Sequence, residues 1–183
     1  MSRSPRGGVV VVVGGGLAGL TCAYELGKLG FEPIVLERGK AVRERTRDTW
    51  GLWRGKVLEP ESNVQFGEGG AGTFSDGKLY SQISDRHHHG RKVLTEFVAA
   101  GAPEEILYVS KPHIGTFRLV AMVERMRATI ESLGGEIRFS QRVDDLVVDT
   151  DGHGVRRVRG VALASGEQLR ADHVVLALGH SAR

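Results

Sequence analysis

The sequence predicts an α/β fold, in which a mainly parallel sheet has helices on its faces and an antiparallel β-meander attached. Two apolar runs support this prediction. Five consecutive valines at positions 9–13 and the uninterrupted stretch at 173–178 are typical of strands that are buried on both sides. The third observation is a strand–helix–strand unit of ordinary length at the start of the chain.

The elements can be justified in order. A strand over 8–13 precedes a helix over 17–29, whose apolar residues have helical spacing and which ends at Gly30. A second strand covers 33–37. Residues 38–64 are expected to be irregular and charged, and residues 66–79 to form a glycine-rich loop. Two further helices are predicted over 91–100 and 116–133, the second with Thr116 as N-cap. A strand over 136–139 follows, then a meander of three strands over 143–149, 155–164 and 168–171, and the final strand over 173–178.

Composition excludes several classes of protein. The chain has 183 residues, enough for one domain, or for one domain with a piece of another attached. It is 40% hydrophobic and 26% charged, as in soluble globular proteins. The single cysteine, Cys22, excludes an internal disulfide framework. A net charge of +3 gives no reason to expect nucleic acid as a partner.

The apolar run at 9–13 is too short for a membrane span or for the core of a signal peptide. We therefore expect no membrane association and a cytoplasmic location.

The first motif is Gly14-x-Gly16-x-x-Gly19, which follows the first strand and opens the first helix. Such glycines allow a tight turn, a close approach of a pyrophosphate, and close packing of helix on strand. Glu37 ends the second strand, where a carboxylate accepts hydrogen bonds from a ribose diol. This context predicts a Rossmann-like fold of the FAD/NAD(P)-binding type. Gly15 and Arg38, the neighbours of these residues, are included in the candidate cofactor site.

The second motif is the glycine-rich segment 66–79. Its Gly72-x-x-x-x-Gly77-Lys78 pattern approaches a P-loop, but Leu79 stands where a magnesium-binding hydroxyl is needed, which argues against an ATPase. Phe66, Phe74 and Leu79 argue against a freely solvated loop. We expect the backbone of this segment to come close to a flat or phosphate-bearing ligand.

Other residues are ambiguous. Residues 87–89 are three consecutive histidines. Adjacent side chains point in different directions, so no metal site is expected there. His113 and His180 are candidate acids or bases, although a structural role is favoured for both. The arginines at 43, 45 and 47 could neutralise a pyrophosphate, but a solvated charged loop is the favoured interpretation. No residue is assigned a catalytic role.

The segment 63–79, NVQFGEGGAGTFSDGKL, closely resembles the signature of the NAD(FAD)-utilising dehydrogenases, a family of FAD-dependent dehydrogenases. The segments 111–116, KPHIGT, and 176–183, LALGHSAR, resemble later parts of that family. One departure is Phe117, where an acidic residue is expected.

The resemblance implies a glutathione-reductase-like domain that binds FAD without a covalent bond. Gly14, Gly16 and Gly19 would hold the pyrophosphate and Glu37 the adenosine ribose. The remaining implied contacts are Gly69, Gly70, Ala71 and Gly72 on the flavin side, the backbone of Val143 at the adenine, and Gly179 at the end of the last parallel strand.

The function expected from these observations is that of an FAD-dependent oxidoreductase acting on a small-molecule substrate, with NAD(P)H as a candidate electron donor. A non-catalytic nucleotide-binding fragment and an NAD-binding module are the alternatives. Residues 1–183 are expected to form an FAD-binding domain that is incomplete at its C-terminus, with 50–113 as a partial inserted segment on the substrate and flavin side. The missing C-terminal region of a longer flavoprotein is the expected partner, so we expect this chain alone to be a poor enzyme.

Overall fold

The structure, a computed structural model, describes residues 7–80 and 84–182. The strands in these residues are β1 Val9–Val13, β2 Glu32–Leu36, β3 Glu136–Arg138, β4 Val143–Thr150, β5 Arg156–Leu163, β6 Gln168–Arg170 and β7 His173–Leu176. The α-helices are α1 Leu17–Lys28, α2 Val42–Gly55, α3 His89–Ala99 and α4 Thr116–Ser132. Short 3-10 helices cover Ala71–Phe74, Glu104–Leu107 and Gly179–Ala182.

A four-stranded parallel sheet with the order β3-β2-β1-β7 forms the centre of the fold. The register brings three strand ends to one level, because Val13 pairs with Leu36 on one side and with Leu176 on the other. The segments that leave β1, β2 and β7 therefore start side by side. Ligands of open α/β sheets bind at such carboxyl ends.

The two faces of this sheet are covered differently. Helices α1 and α4 pack on one face, where Leu20, Val35 and Met126 belong to a single buried cluster. The antiparallel sheet β4-β5-β6 covers the other face, and Val161 and Leu163 of β5 pack there against Val11. The predicted fold class is confirmed, with the meander as a third layer opposite the helices.

The structure predicted for one segment is wrong. Residues 38–64, expected to be irregular, contain the 14-residue helix α2. Its buried positions are Val42, Arg45 and Thr49, spaced as one helical face. Two of these three residues are polar, so the apolar periodicity by which a helix is recognised is missing.

The expected N-cap at Thr116 is also wrong. Thr116 is the first residue of α4, and Gly115 is the N-cap with φ of 82°. That left-handed conformation suits glycine, so the backbone rather than a threonine hydroxyl sets the start of the helix.

Among the described residues, no helix is both long and apolar enough to cross a bilayer. Residues 1–6 and 183 of the expected FAD-binding domain, and residues 81–83 of its expected inserted segment, lie outside the described residues. The domain boundaries stay a prediction.

Candidate cofactor-binding site

A cleft of about 300 Å³ opens at the carboxyl ends of β1, β2 and β7. The turn after β1, the glycine-rich loop, the entry to β4 and the segment after β7 all contribute to its walls. The lining residues are Val13, Gly14, Gly16, Leu36, Glu37, Arg38, Gln65, Phe66, Gly67, Gly70, Ala71, Gln141, Arg142, Val143, Ala177, Leu178, Gly179, His180 and Ser181.

The turn from β1 into α1 requires glycine at two positions for internal reasons. Gly14 has φ of 108°, and a Cβ there would overlap the carbonyl oxygen of Ala177. A Cβ at Gly19 would overlap the carbonyl oxygen of Gly14. These two glycines let the first turn of the helix, the end of β1 and the chain after β7 pack together, as the motif predicts.

Gly16 differs from these two glycines. Its backbone has φ of −70° and ψ of 175°, which any residue adopts. A Cβ there would meet only the Cα of Gly70, at 3.7 Å. Gly16 is the N-cap of α1, and it has no side-chain cap hydrogen bond. The missing side chain therefore leaves space beside the helix N-terminus, where amide groups and the helix dipole favour an anion.

Glu37 is 5% exposed, and its carboxylate accepts three hydrogen bonds from backbone amides. The N–H of Gly15 donates to Oε2 at 2.7 Å, and those of Gly39 and Gly67 donate to Oε1 at 2.8 and 3.0 Å. A single carboxylate thus ties the βα turn to the glycine-rich loop. Glu37 is also one of the residues that line the cleft.

The glycine-rich loop is folded around the guanidinium of Arg45, which is fully buried. Nε donates to the carbonyl of Asn63 and Nη2 to that of Val64, both at 2.7 Å. Nη1 donates to the carbonyls of Glu68 and Gly70 at 2.8 and 2.9 Å. Burial is the main cause that lowers the pKa of Arg45 to about 10, and the nearby charges of Glu37 and Glu68 oppose it.

The expectation that the arginines at 43, 45 and 47 lie in a solvated loop is wrong, because all three belong to helix α2 and Arg45 is buried. Arg43 does remain on the surface, where it pairs with Glu124 at 2.5 Å. Helical geometry separates the two arginines, because residues two positions apart face different directions.

Glu68 is buried beneath the same loop. Its Oε2 accepts a hydrogen bond from the N–H of Val42, the first residue of α2, at 2.8 Å, and pairs with Arg127 at 3.0 Å. Its Oε1 has no hydrogen-bond partner among the described residues. Burial raises the pKa of this carboxyl, against the opposing effects of the Val42 amide and Arg127.

Cationic side chains form one end of the cleft. The guanidinium of Arg38 lies 4.0 Å from the centroid of the Phe66 ring and pairs with Glu61 at 2.5 Å. Arg142, which immediately precedes β4, pairs with the other oxygen of Glu61 at 3.1 Å. Glu61 thus connects the end of β2 with the entry to β4 at the position where Val143 lines the cleft.

The structure brings most of the predicted site residues together. Gly14, Gly16, Glu37, Arg38, Gly70, Ala71, Val143 and Gly179 all line the cleft. The other four predicted glycines, Gly15, Gly19, Gly69 and Gly72, are not among its lining residues.

These four glycines have supporting contacts. The amide of Gly15 is taken by Glu37, and that of Gly69 donates to the carbonyl of Gly15 at 2.9 Å. Gly19 packs on Gly14, and a Cβ at Gly72 would contact Leu17. Their cofactor role stays a prediction.

Sequence reasoning missed several lining residues. Phe66 and Gly67 open the glycine-rich segment and were not assigned to the site, although the motif includes them. Arg142 also lines the cleft and adjoins Val143, which was predicted. His180, named from the sequence only as a candidate acid or base, lines the cleft beside Gly179. Position next to a motif residue was the available signal, but side-chain direction in a loop is not encoded by spacing.

A larger cleft of about 710 Å³ lies elsewhere, beside the start of α4. Asp76, His113 and the exposed ring of Phe117 are among its lining residues, but the βα turn and Glu37 are not. Lys78 forms an isolated antiparallel bridge with His113. The smaller cleft is the candidate cofactor site, because the βα turn and Glu37 both line it and neither lines the larger cleft.

The described residues contain no group of three or more histidine, cysteine, aspartate or glutamate side chains that could hold a metal ion.

The model of the FAD dependent oxidoreductase family (DAO) matches residues 10–114 of the chain. An uncharacterized protein of Clostridium beijerinckii is 44% identical over 173 residues, which are 94% of this chain and 31% of that protein. A dual trans-enoyl reductase/FAD-dependent monooxygenase of Aspergillus terreus, tazHJ, is 30% identical over 150 residues, 78% of this chain and 19% of that protein. The chain thus spans less than a third of the length of these relatives.

Among solved structures, THI4 of Thermovibrio ammonificans superposes with a TM-score of 0.58 at 20% identity, over 96% of this chain and 59% of that one. At this identity the likeness concerns the fold alone.

Proposed function

The chain belongs to the FAD dependent oxidoreductase family, whose model covers more than half of it, and on this premise we propose that its cleft binds FAD for a flavin-dependent oxidoreductase reaction. The observation that carries the proposal is the convergence of Gly16, Glu37, Gly70 and Gly179 on one cleft at the carboxyl ends of three parallel strands. Each of these residues comes from a different segment of the chain.

The residues of the cleft fit the parts of the cofactor. The open space at Gly16 and the start of α1 suit a pyrophosphate, because helix N-termini present unpaired amides to anions. The carboxylate of Glu37 suits a ribose diol, and its charge would repel a 2′-phosphate. Val143 and the Arg38–Phe66 pair suit an adenine, a flat group that packs on flat neighbours.

FAD would supply the transfer of hydride or electrons, and the protein would supply binding, orientation and electrostatics. In this chain, Gly14 and Gly16 would admit the phosphates, and Glu37 would orient the ribose while it holds the two glycine-rich segments together. Gly70, Ala71 and Gly179 would lie beside the part of FAD that links the pyrophosphate to the flavin ring.

Within the family, we propose the NAD(FAD)-utilising dehydrogenases as the subgroup, with a glutathione-reductase-like FAD domain. The signature at 63–79 supports this choice, because its residues 65–67, Gly70 and Ala71 line the cleft. NAD(P)H is the proposed electron donor, and a small molecule is the proposed substrate. The remainder of a longer flavoprotein would complete the enzyme, since the matched region is only 31% and 19% of the length of these relatives.

A visible absorption spectrum of the purified chain after reconstitution with FAD tests the proposal. Bound flavin that survives gel filtration is the expected result, and bleaching on anaerobic addition of NADH would identify the donor. Titration with NAD⁺ serves as the comparison. Saturable NAD⁺ binding together with no retention of FAD would contradict the proposal and would support an NAD-binding module.

A further inference from the structure

Residues 63–73, which surround Arg45 and include the first part of the glycine-rich loop, have a polarity that their sequence does not show. The carbonyls of Val64, Glu68 and Gly70 all point at the guanidinium of Arg45. In a trans peptide the N–H of the next residue points the opposite way, and the described residues contain no cis peptide. The arginine therefore orients the amides on the far side of the loop.

Two of these amides have visible acceptors. The N–H of Gln65 donates to Oδ1 of Asn63, and that of Gly69 donates to the carbonyl of Gly15, both at 2.9 Å. The third amide belongs to Ala71, which follows Gly70. No acceptor for the Ala71 amide is found in the part of the chain that the structure describes. Ala71 and Gly70 both line the cleft.

We propose that Arg45 is a positioning residue for the cofactor: it holds the glycine-rich loop so that the amide of Ala71 is presented to the cleft as a hydrogen-bond donor for an anionic or carbonyl oxygen of the ligand. The ligand part of this inference rests on the proposed FAD site. The loop part does not, because the hydrogen bonds of Arg45 exist within the chain itself.

The packing around Arg45 supports a dedicated role. The side chain is fully buried, although burial of a charged group is costly unless its donors are satisfied. Its hydrogen-bond acceptors are backbone carbonyls and the Thr73 hydroxyl. A Cβ at Gly67 would overlap the Arg45 side chain, so the loop can close over the arginine only with glycine there. The flat fork of a guanidinium can serve several carbonyls at once, which an ammonium cannot.

The loop part is tested without cofactor by hydrogen exchange. We expect Arg45→Lys to accelerate exchange of the amides of residues 67–69 by about 10–100-fold, because hydrogen bonds to a charged group are lost. The matched control is Arg43→Lys, on the same helix but at the surface, which should leave these amides protected. Unchanged protection in Arg45→Lys would overturn the positioning role.

Arg45→Ala provides a second route if the lysine variant folds poorly. Guanidinium ion at millimolar concentration should restore loop protection and FAD affinity in this variant, and ammonium at equal ionic strength should not. Equal effects of the two ions, or no rescue by either, would count against the proposal.

The ligand part is tested by Ala71→Pro, which deletes one amide hydrogen. Ala71 is the first residue of a 3-10 helix, a position that tolerates proline. The preceding Gly70 has φ of 66° and ψ of −167°, which is outside the α region that a following proline disfavours. We expect the apo protein to keep its fold and loop protection while FAD affinity falls about tenfold or more. Glu104→Pro, at the first position of another 3-10 helix, controls for the proline itself.

The outcomes separate the two proposals. If the unmodified chain binds no FAD, the proposed function fails, and hydrogen exchange still decides the role of Arg45. If the unmodified chain binds FAD and Ala71→Pro binds it within threefold as tightly, the amide is not a ligand donor and this inference is wrong while the proposed function stands.

Discussion

Replacement of Gly16 separates cofactor binding from folding. The residue has a φ and ψ that alanine and valine adopt, and its Cβ would lie 3.7 Å from the Cα of Gly70, an ordinary van der Waals distance. The space that a side chain would occupy faces the cleft. Folding should therefore tolerate Gly16→Ala, while ligand binding should not.

The magnitudes follow from this geometry. Alanine is a poorer N-cap than glycine by roughly 0.5–1 kcal/mol. Alanine also lowers the conformational entropy of the unfolded chain, which stabilises the folded protein by a similar amount. The net change in unfolding free energy should stay within about 1 kcal/mol, or about 2–4 °C in Tm. A methyl group forced against a pyrophosphate should cost about 1–3 kcal/mol, or roughly 5–150-fold in FAD affinity. Gly16→Val should abolish binding.

Two further glycines serve as references for this prediction. Gly19→Ala places its Cβ on the carbonyl oxygen of Gly14, so it should lose stability and FAD binding together. Gly51→Ala lies in α2, where nothing stands within 4 Å of the added Cβ, so it should stabilise the protein by about 0.5–1 kcal/mol and leave FAD affinity unchanged. Thermal melting of the apo proteins and calorimetric FAD titration measure both quantities. An FAD affinity of Gly16→Ala within threefold of the unmodified chain would refute the assignment of the pyrophosphate to the space beside Gly16.

Three other predictions follow from buried groups. Glu37→Gln replaces one acceptor oxygen by an amide group, so it should lower the unfolding free energy by about 1.5–3 kcal/mol and also weaken FAD binding. An unchanged unfolding free energy in denaturant melts of the apo protein would show that the three hydrogen bonds from backbone amides to Glu37 contribute nothing to stability. The pKa of Glu68 in the folded state is raised above 4.5, so its stabilising contribution is complete below pH 4.5 and is lost as pH rises through the raised pKa. Between these two pH values, the unfolding free energy of Glu68→Gln relative to that of the unmodified chain should therefore increase. A difference in unfolding free energy that stays constant with pH would contradict this prediction. Leu20→Ala removes a fully buried side chain between α1 and the sheet and should cost about 2–5 kcal/mol; a loss below 1 kcal/mol in the same melts would mean that α1 is not packed as described.

Short-range patterns determined much of this protein. The valine run, the GxGxxG motif and Glu37 lie in contiguous segments whose geometry is local, so the βαβ unit and the end that lines the cleft could be predicted from spacing alone. The meander was equally accessible, because turn residues separate its strands. The place of Gly179 at the cleft was implied by the family resemblance, and it agrees with the rule that ligands bind at the carboxyl ends of parallel strands.

Only the tertiary structure decided the rest. Helix α2 escaped prediction because its buried face contains Arg45 in place of an apolar residue, and an arginine is accepted there only because the carbonyls of a distant loop converge on it. The same holds for Glu37, since two of its three amide partners, Gly15 and Gly67, lie 22 and 30 residues away in the chain. Hydrogen-bond partners so far apart in the chain are set by how its segments meet in space, and no periodicity in the sequence records them.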